Sequence, residues 1–307
     1  MDRRHFLSRV VPAAAGFALA ARVGAAPARG EPVVTPIGDR LWLLSGLGGN
    51  VVVFDSQEGV LLVDGGAAGE TAGLLKVVRT LTGKREIHTL FNTHWHHEQT
   101  GANTTLGPAG ARIIAHENTR LWLGTEVDST WEQRVYKRLA EKARPNQTFY
   151  TNGSLAFGGE TFDYGYLPQA HTDGDAYVHL RNANLLVGGD VVRLESYPVI
   201  DYSTNGWITG MVSGLQALSN LGDEATRVVP GIGAAVARGQ LKEQADMLVA
   251  VRLRLAKMMA QGRSLEEVVA TRPTEEFDAR WGEPSLFLAQ AWAGMVRRPQ
   301  ELGQAVV

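Results

Sequence analysis

The sequence predicts a layered α/β fold. Two observations carry that expectation. Short β-rich runs closed by glycine or polar residues recur along the chain. Segments with helical spacing of apolar residues stand between them, and strands alternating with helices bury their apolar faces best as stacked layers.

The elements follow in order. Residues 1–28 read as an export signal rather than part of the fold. The pair Arg3-Arg4 is followed by Phe6-Leu7, a weakly apolar run from Val10 to Ala21, and small residues that suit cleavage near Ala25 to Ala28. This is the pattern of a twin-arginine signal, and the apolar run is shorter than the roughly 20 residues of a bilayer span. The mature domain is expected over 29–307. "LWLLSG", "NVVVFDS" and "GVLLVDGG" are strands, the last ending at Asp64 and two glycines. "GETAGLLKVVRTLTG" is a helix stopping at Gly83, and "EIHTLFNTH" is again a strand. "ARIIAHENTRLWLG" is a strand followed by a helix, with Asn118 or Thr119 near its cap; "WEQRVYKRLAEKARP" is expected as a surface helix ended by Pro145. Short strands fill 151–192, the clearest being "AYVHL" and "NLLVGGDVV". A helix over "WITGMVSGLQALSNLG" and a strand "TRVVPGIG" lead into a helical C-terminal section, 235–307.

With 44% hydrophobic and 20% charged residues the 307-residue chain is globular in composition and long enough for a sizeable core. Its net charge of −2 shows no polyanion-binding surface, so nucleic acid is not an expected partner; a small-molecule substrate is. The chain has no cysteine, which excludes disulfides, thiolate metal sites and cysteine nucleophiles.

The chemistry concentrates in "NTHWHHEQTG", where His94, His96, His97 and Glu98 fall within five positions. In an extended segment residues i and i+2 share a face, so His94 and His96 can meet one ion. A hydrolytic zinc takes three protein ligands and a water. His171 in "PQAHTDGD" is the best third ligand and Asp190 in "LLVGGDVV" the next, a carboxylate at the end of an apolar run. Asp64 is either a turn residue or the group that orients a ligand histidine.

Taken in order, "LLVDGG", "NTHWHHEQTGAN", "AHTDGDAYVHL", "LLVGGDVV" and "VVPGIG" make the chain resemble the metallo-β-lactamase-fold hydrolase superfamily from about residue 33 to 240. The resemblance implies a four-layer αββα sandwich with a metal site at one edge between the sheets. It implies His94, His96 and His171 as the ligands of one metal and Asp190 as a carboxylate bridging to a second. The departures fall on that second metal. Glu98-Gln99 stands where the family has Asp-His, and Ile232 stands where it has a late histidine. Two of four ligands are thereby lost, and even outer groups that merely support a ligand are worth about 10- to 100-fold in metal affinity. One zinc is therefore expected, with Glu98 beside its bound water as a candidate general base or acceptor and Asp190 as a ligand or proton acceptor. Trp95, Gln99, Tyr197, Tyr202 and Trp207 are expected around the pocket.

The expected activity is hydrolysis of an ester, thioester, lactone or amide. Three other readings share the residues: a mononuclear iron dioxygenase using His94, His171 and Asp190, a β-lactamase, and a non-catalytic binding protein. The export signal yields its own prediction. A reporter fused after residue 28 should reach the periplasm, or be secreted, and changing Arg3-Arg4 to Lys-Lys should hold it in the cytoplasm; fractionation showing unchanged export would remove the twin-arginine reading.

Overall fold

The structure, a computed structural model, describes residues 32–83 and 85–298, so the expected signal at 1–28 lies outside the described residues. Strands β1 (Val33–Gly38), β2 (Leu41–Leu47), β3 (Gly49–Ser56) and β4 (Gly59–Val63) form an antiparallel meander. Helix α1 (Thr71–Thr82) returns the chain to β5 (Ile87–Phe91), parallel to β4. Two single turns, α2 (His97–Thr100) and α3 (Asn103–Leu106), lead to β6 (Arg112–His116) and α4 (Glu117–Leu123). A small hairpin of β7 (Val127–Ser129) and β8 (Arg134–Tyr136) precedes β9 (Gln147–Phe149), which completes a seven-stranded sheet in the order β1-β2-β3-β4-β5-β6-β9.

The second sheet has six strands: β10 (Asn152–Phe157), β11 (Glu160–Tyr166), β12 (Ala176–Leu180), β13 (Leu185–Gly189), β14 (Arg227–Pro230) and β15 (Val236–Ala237), paired in that order. Helix α5 (Ile208–Ser219) is the crossover between the parallel strands β13 and β14. Helices α6 (Leu241–Ala260), α7 (Leu265–Ala270), α8 (Glu275–Trp281) and α9 (Ser285–Arg297) follow.

Period-2 alternation sorts the side chains into layers. On β4, Leu61 and Val63 face the second sheet while Val60 and Leu62 face Leu74 and Val78 of α1. On β3, Val52 and Phe54 face inward and Val51 and Val53 outward. Leu186 and Val228 of the second sheet face outward onto α5, α6 and α9 through Met211, Leu248 and Phe287. Helix, sheet, sheet, helix is the order of layers that these three apolar clusters define. Between the sheets Phe162 is fully buried, edge-on to Phe54 with centroids 5.4 Å apart and stacked on Phe91 at 6.4 Å.

Two expectations are corrected. Residues 131–145 do not form a helix: the chain makes the β7–β8 hairpin and one 3-10 turn at Glu141–Ala143. Contacts outside the segment decide this over local propensity. Tyr136 packs edge-on against Trp95 and Trp131 reaches Asp201. At α4 the cap is His116, whose Nδ1 accepts from the Asn118 N–H at 3.2 Å. Asn118 and Thr119 instead donate from their side chains to the carbonyls of Asp173 and Gly174 and hold that loop. Helix α8 was not foreseen.

The inter-sheet core gives a stability prediction. Phe162→Ala should destabilise the mature protein by about 3–5 kcal/mol, the cost of emptying a fully buried aromatic site. Leu253→Ala, at a position 45% exposed on α6, should stay within about 0.5 kcal/mol of wild type. Denaturant unfolding of both variants checks this.

Candidate metal centre

Strands β5, β13 and β14 all end at the same edge of the sandwich, where parallel strands release their C-terminal loops. Past Phe91 the backbone is tied on both sides. The Asp64 N–H donates to the Phe91 carbonyl at 2.7 Å, and the Ala176 N–H donates to the Thr93 carbonyl at 2.7 Å, joining the two sheets at the site. The histidine segment is not extended. It bends from Asn92 to His96 and enters α2, so the two-residue spacing does not by itself align the rings. They converge through the bend. Ring centroids lie 4.9 Å apart for His94–His96, 4.7 Å for His94–His171 and 4.6 Å for His96–His171. His94, His96 and His171 are all buried.

Each imidazole spends one nitrogen on the protein. His94 Nδ1 lies 3.1 Å from Thr93 Oγ1, and the Thr93 hydroxyl donates to Asp64 Oδ2 at 2.9 Å while its N–H donates to Oδ1 at 2.8 Å. Asp64 thus acts on His94 through Thr93. His171 Nδ1 donates to the Val199 carbonyl at 2.8 Å, and His96 Nε2 faces Asp201 Oδ2 at 3.2 Å. The other three nitrogens point at one another. His171 Nε2 and His96 Nδ1 are 3.0 Å apart, and the buried His94 Nε2 has no hydrogen-bond partner among the described residues. One ligand atom from each histidine lies within 4.8 Å of the others. Outward nitrogens fixed by acceptors and inward nitrogens left with lone pairs are what a metal site needs from histidine.

The electrostatics agree with a cation site. Burial, then His171 and His96, holds His94 well below its ordinary range, and burial with His96 lowers His171. Burial opposes charge on His96 too, but Asp201 and Glu98 outweigh it and raise that ring to about 9. A metal must displace that proton. Burial lifts the Asp64 carboxyl to about 8 against its Thr93 hydrogen bonds.

Asp190 follows β13 on the opposite wall, with Oδ2 3.9 Å from His171 Nε2. Gln99 donates its amide to Asp190 Oδ1 at 3.2 Å. A Cβ on Gly231 would overlap Asp190 Oδ1, so only glycine at that position lets the carboxylate sit there. Ile232 keeps 36% of its surface exposed; it brings no donor to the site and does not plug it as a buried side chain would. Glu98 lies beside the histidines, Oε1 3.7 Å from His96 Nδ1 and Oε2 3.0 Å from His97 Nδ1. Burial pushes Glu98 up, but His97, His96 and His94 together hold it well below the usual carboxylate range. His94, Glu98 and Asp190 form a second group with ligand atoms within 4.8 Å of one another.

The expected pocket aromatics divide. Trp95 is buried, donating its Nε1–H to Thr204 Oγ1 at 3.1 Å and wedged edge-on against His96. Trp207 is buried in the cluster that α5, α6 and α9 share. Both rings are used in packing. Tyr202 carries Arg297 over its ring. Tyr197 does line a cavity, one of about 600 Å³.

Three positioning residues escaped the sequence reading. Asp201, fully buried, takes His96 together with the hydroxyls of Ser203 and Thr204; the run Asp-Tyr-Ser-Thr is a turn-capping signal. Asp175 accepts from the Thr172 N–H and hydroxyl at 2.8 and 2.7 Å and fixes the loop after His171. Asn50 donates to the carbonyls of Pro230 and Gly233 at 2.9 and 2.8 Å and stitches β3 to the turn carrying Gly231.

The chain's sequence matches the metallo-beta-lactamase superfamily model over residues 44–259. No curated protein matches it. Among solved structures it is similar to a metallo-beta-lactamase from Pontibacter korlensis, with 21% identity and a TM-score of 0.58 over 71% of this chain and 98% of that one. It is similar to DIM-1 metallo-beta-lactamase (20% identity, TM-score 0.57, 71% of this chain and 97% of that) and to TMB-1 (21%, 0.56, 71% and 97%). Likeness at this identity speaks to the fold. With a family match over more than half its length and a histidine-rich centre where the two sheets end, this chain belongs to the metallo-β-lactamase superfamily.

Proposed function

We propose that the chain is an exported hydrolase that uses one zinc ion, held by His94, His96 and His171, on an ester, thioester, lactone or amide. The observation that carries this reading is the convergence of three buried imidazole nitrogens whose ring partners are each tied to a fixed acceptor. Three neutral nitrogen donors suit zinc. Such an ion supplies Lewis acidity and lowers the pKa of bound water toward about 7.

The protein's own groups divide the remaining work. Asp190, steadied by Gln99, presents a carboxylate across from His171. Glu98 is ionised at neutral pH, so it accepts a hydrogen bond from the attacking water and orients it. Support for a single ion comes from the second position. The Gln99 amide donates to the carboxylate oxygen that another cation would take, and Ile232 has no lone pair to offer. The arginine pair near the start supports export after folding. Among the described residues no helix is long and apolar enough to cross a membrane.

Elemental analysis of the purified mature protein should find one zinc per chain, and His96→Ala should weaken metal binding by more than about 100-fold, beyond the loss of an outer partner. Two ions per chain would overturn the single-site reading, and one iron would favour the dioxygenase. Lactam, lactone, thioester and ester substrates belong in the same screen. Glu98→Gln should lower kcat about 10²- to 10⁴-fold with zinc content unchanged, the usual worth of a positioned proton acceptor. Loss of zinc in that variant would make Glu98 a ligand, and unchanged kcat would remove it from the chemistry.

A further inference from the structure

The cavity of about 600 Å³ adjoins the metal centre and is used by nothing described so far. Three of its lining residues touch three residues of the centre. Arg193 Nη1 is 4.0 Å from Asp190 Oδ2, the Val199 carbonyl holds His171, and Trp131 Nε1 donates to Asp201 at 3.3 Å. The far wall belongs to the helical C-terminal section, where Trp281, Leu286 and Phe287 face the cavity and Phe287 stacks on Tyr197 with centroids 5.0 Å apart.

The lining is aromatic and aliphatic, and its charges are not equivalent. Three carboxylates stand on it, but each is turned to a neighbour. Glu132 accepts from the Tyr136 hydroxyl, Glu195 from the Ala234 N–H and Glu283 from the Ser285 N–H. Two arginines stand on the lining as well: Arg134 lies over the Tyr136 ring, and Arg193 stands at the inner end, between the cavity and Asp190, with its Nε–H given to Ser196 Oγ. An apolar chamber with a cation and a metal centre at one end suits a molecule that is greasy along its length and carboxyl-like at its tip. The volume is in the range that buries most of a small organic ligand.

We propose that this cavity holds the apolar acyl chain of the substrate, which makes the substrate a carboxylic ester or thioester of a medium-chain or aryl acid. The proposal rests on the hydrolase reading for the reaction but not for the binding. In the reaction, the oxygen of water joins the acyl carbon and the bond from that carbon to the ester oxygen or thioester sulfur breaks. One proton of the water goes to the departing alcohol or thiol, and the other is released as the acid ionises. The carboxylate product is left with its chain in the cavity and its head beside Arg193 and the metal centre.

The test is binding of the product, which needs no turnover. Acetate, hexanoate and decanoate are titrated into the zinc-loaded mature protein by calorimetry, with fluorescence of Trp131 and Trp281 as a second readout. Each buried methylene should tighten binding about two- to fourfold, so decanoate should exceed hexanoate by at least about tenfold. Leu286→Trp, at a position 38% exposed, should fill the chamber and cost decanoate at least tenfold while leaving acetate unchanged. Leu253→Trp, on the exposed surface of α6, should change neither. Equal affinity across the series overturns the proposal in the wild-type protein alone, whatever the variants do. Decanoate binding that ignores Leu286→Trp also overturns it. If the protein takes up no zinc yet keeps the chain-length dependence and its loss in Leu286→Trp, the acyl cavity stands and the hydrolase reading falls. If zinc binds and esters are cleaved without regard to chain length, the hydrolase reading stands and the acyl cavity falls.

Discussion

The structure depends on one constraint: three imidazoles are buried together, and every nitrogen they bring must be accounted for. A buried polar atom without a partner costs about 1–3 kcal/mol, so six ring nitrogens in one pocket are a heavy load on a fold. Three are met by acceptors from three different parts of the chain: Thr93 backed by Asp64, Asp201 in the turn before α5, and the carbonyl of Val199. The other three meet only one another or nothing, with His94 Nε2 left unpartnered. That asymmetry is the physical signature of a place built for a cation, because an ion satisfies all three at once.

The surrounding chain is arranged to make that pocket rigid. The Thr93 carbonyl takes the Ala176 N–H, so one sheet is bonded to the other at the histidine segment itself. Asn50 binds two carbonyls of the turn after β14, and that turn brings Gly231 against Asp190. Gly189, in the left-handed region at φ 54°, turns the backbone just before Asp190, and a side chain there would meet Thr93. The glycines of "VGGD" and "PGIG" are therefore spacers for a carboxylate and a ligand-bearing loop.

Much of this was legible in the sequence because it is local. The β-rich runs closed by glycine or polar residues marked β2, β3 and β4, and the polar motifs taken in order pointed to the three histidines and Asp190. What was not legible is non-local. His96 needs Asp201, 105 residues away, and the Gly231 turn needs Asn50, 180 residues from the Pro230 carbonyl that it binds. No pattern within a window of residues reports such a pairing. The segment 131–145 misleads for the same reason, since its first part belongs to the β7–β8 hairpin. Trp131 is held by Asp201 and Tyr136 by Trp95 of the histidine segment, and a helix through them would forgo both contacts. The aromatics near the site were visible as residues but not as roles, since Trp95 and Trp207 differ from Tyr197 only in what the rest of the chain places against them.

The replaced second-metal ligands make sense on the same accounting. Asp190 is buried, and a buried carboxylate that has lost a neighbouring cation would be costly to keep. Here the protein supplies partners of its own: Gln99 donates to one oxygen, while His171 and Arg193 lie about 4 Å from the other. A histidine at position 99 would hold a second ion but, with that nitrogen metal-bound, would give no hydrogen bond to Asp190. A glutamine reverses the exchange. The carboxylate then has a fixed partner within the protein, and Ile232 stands at that corner as a partly exposed side chain. The sequence change that looks like simple decay of a ligand set is, in the folded chain, accompanied by a hydrogen bond that keeps the Asp190 carboxylate partnered.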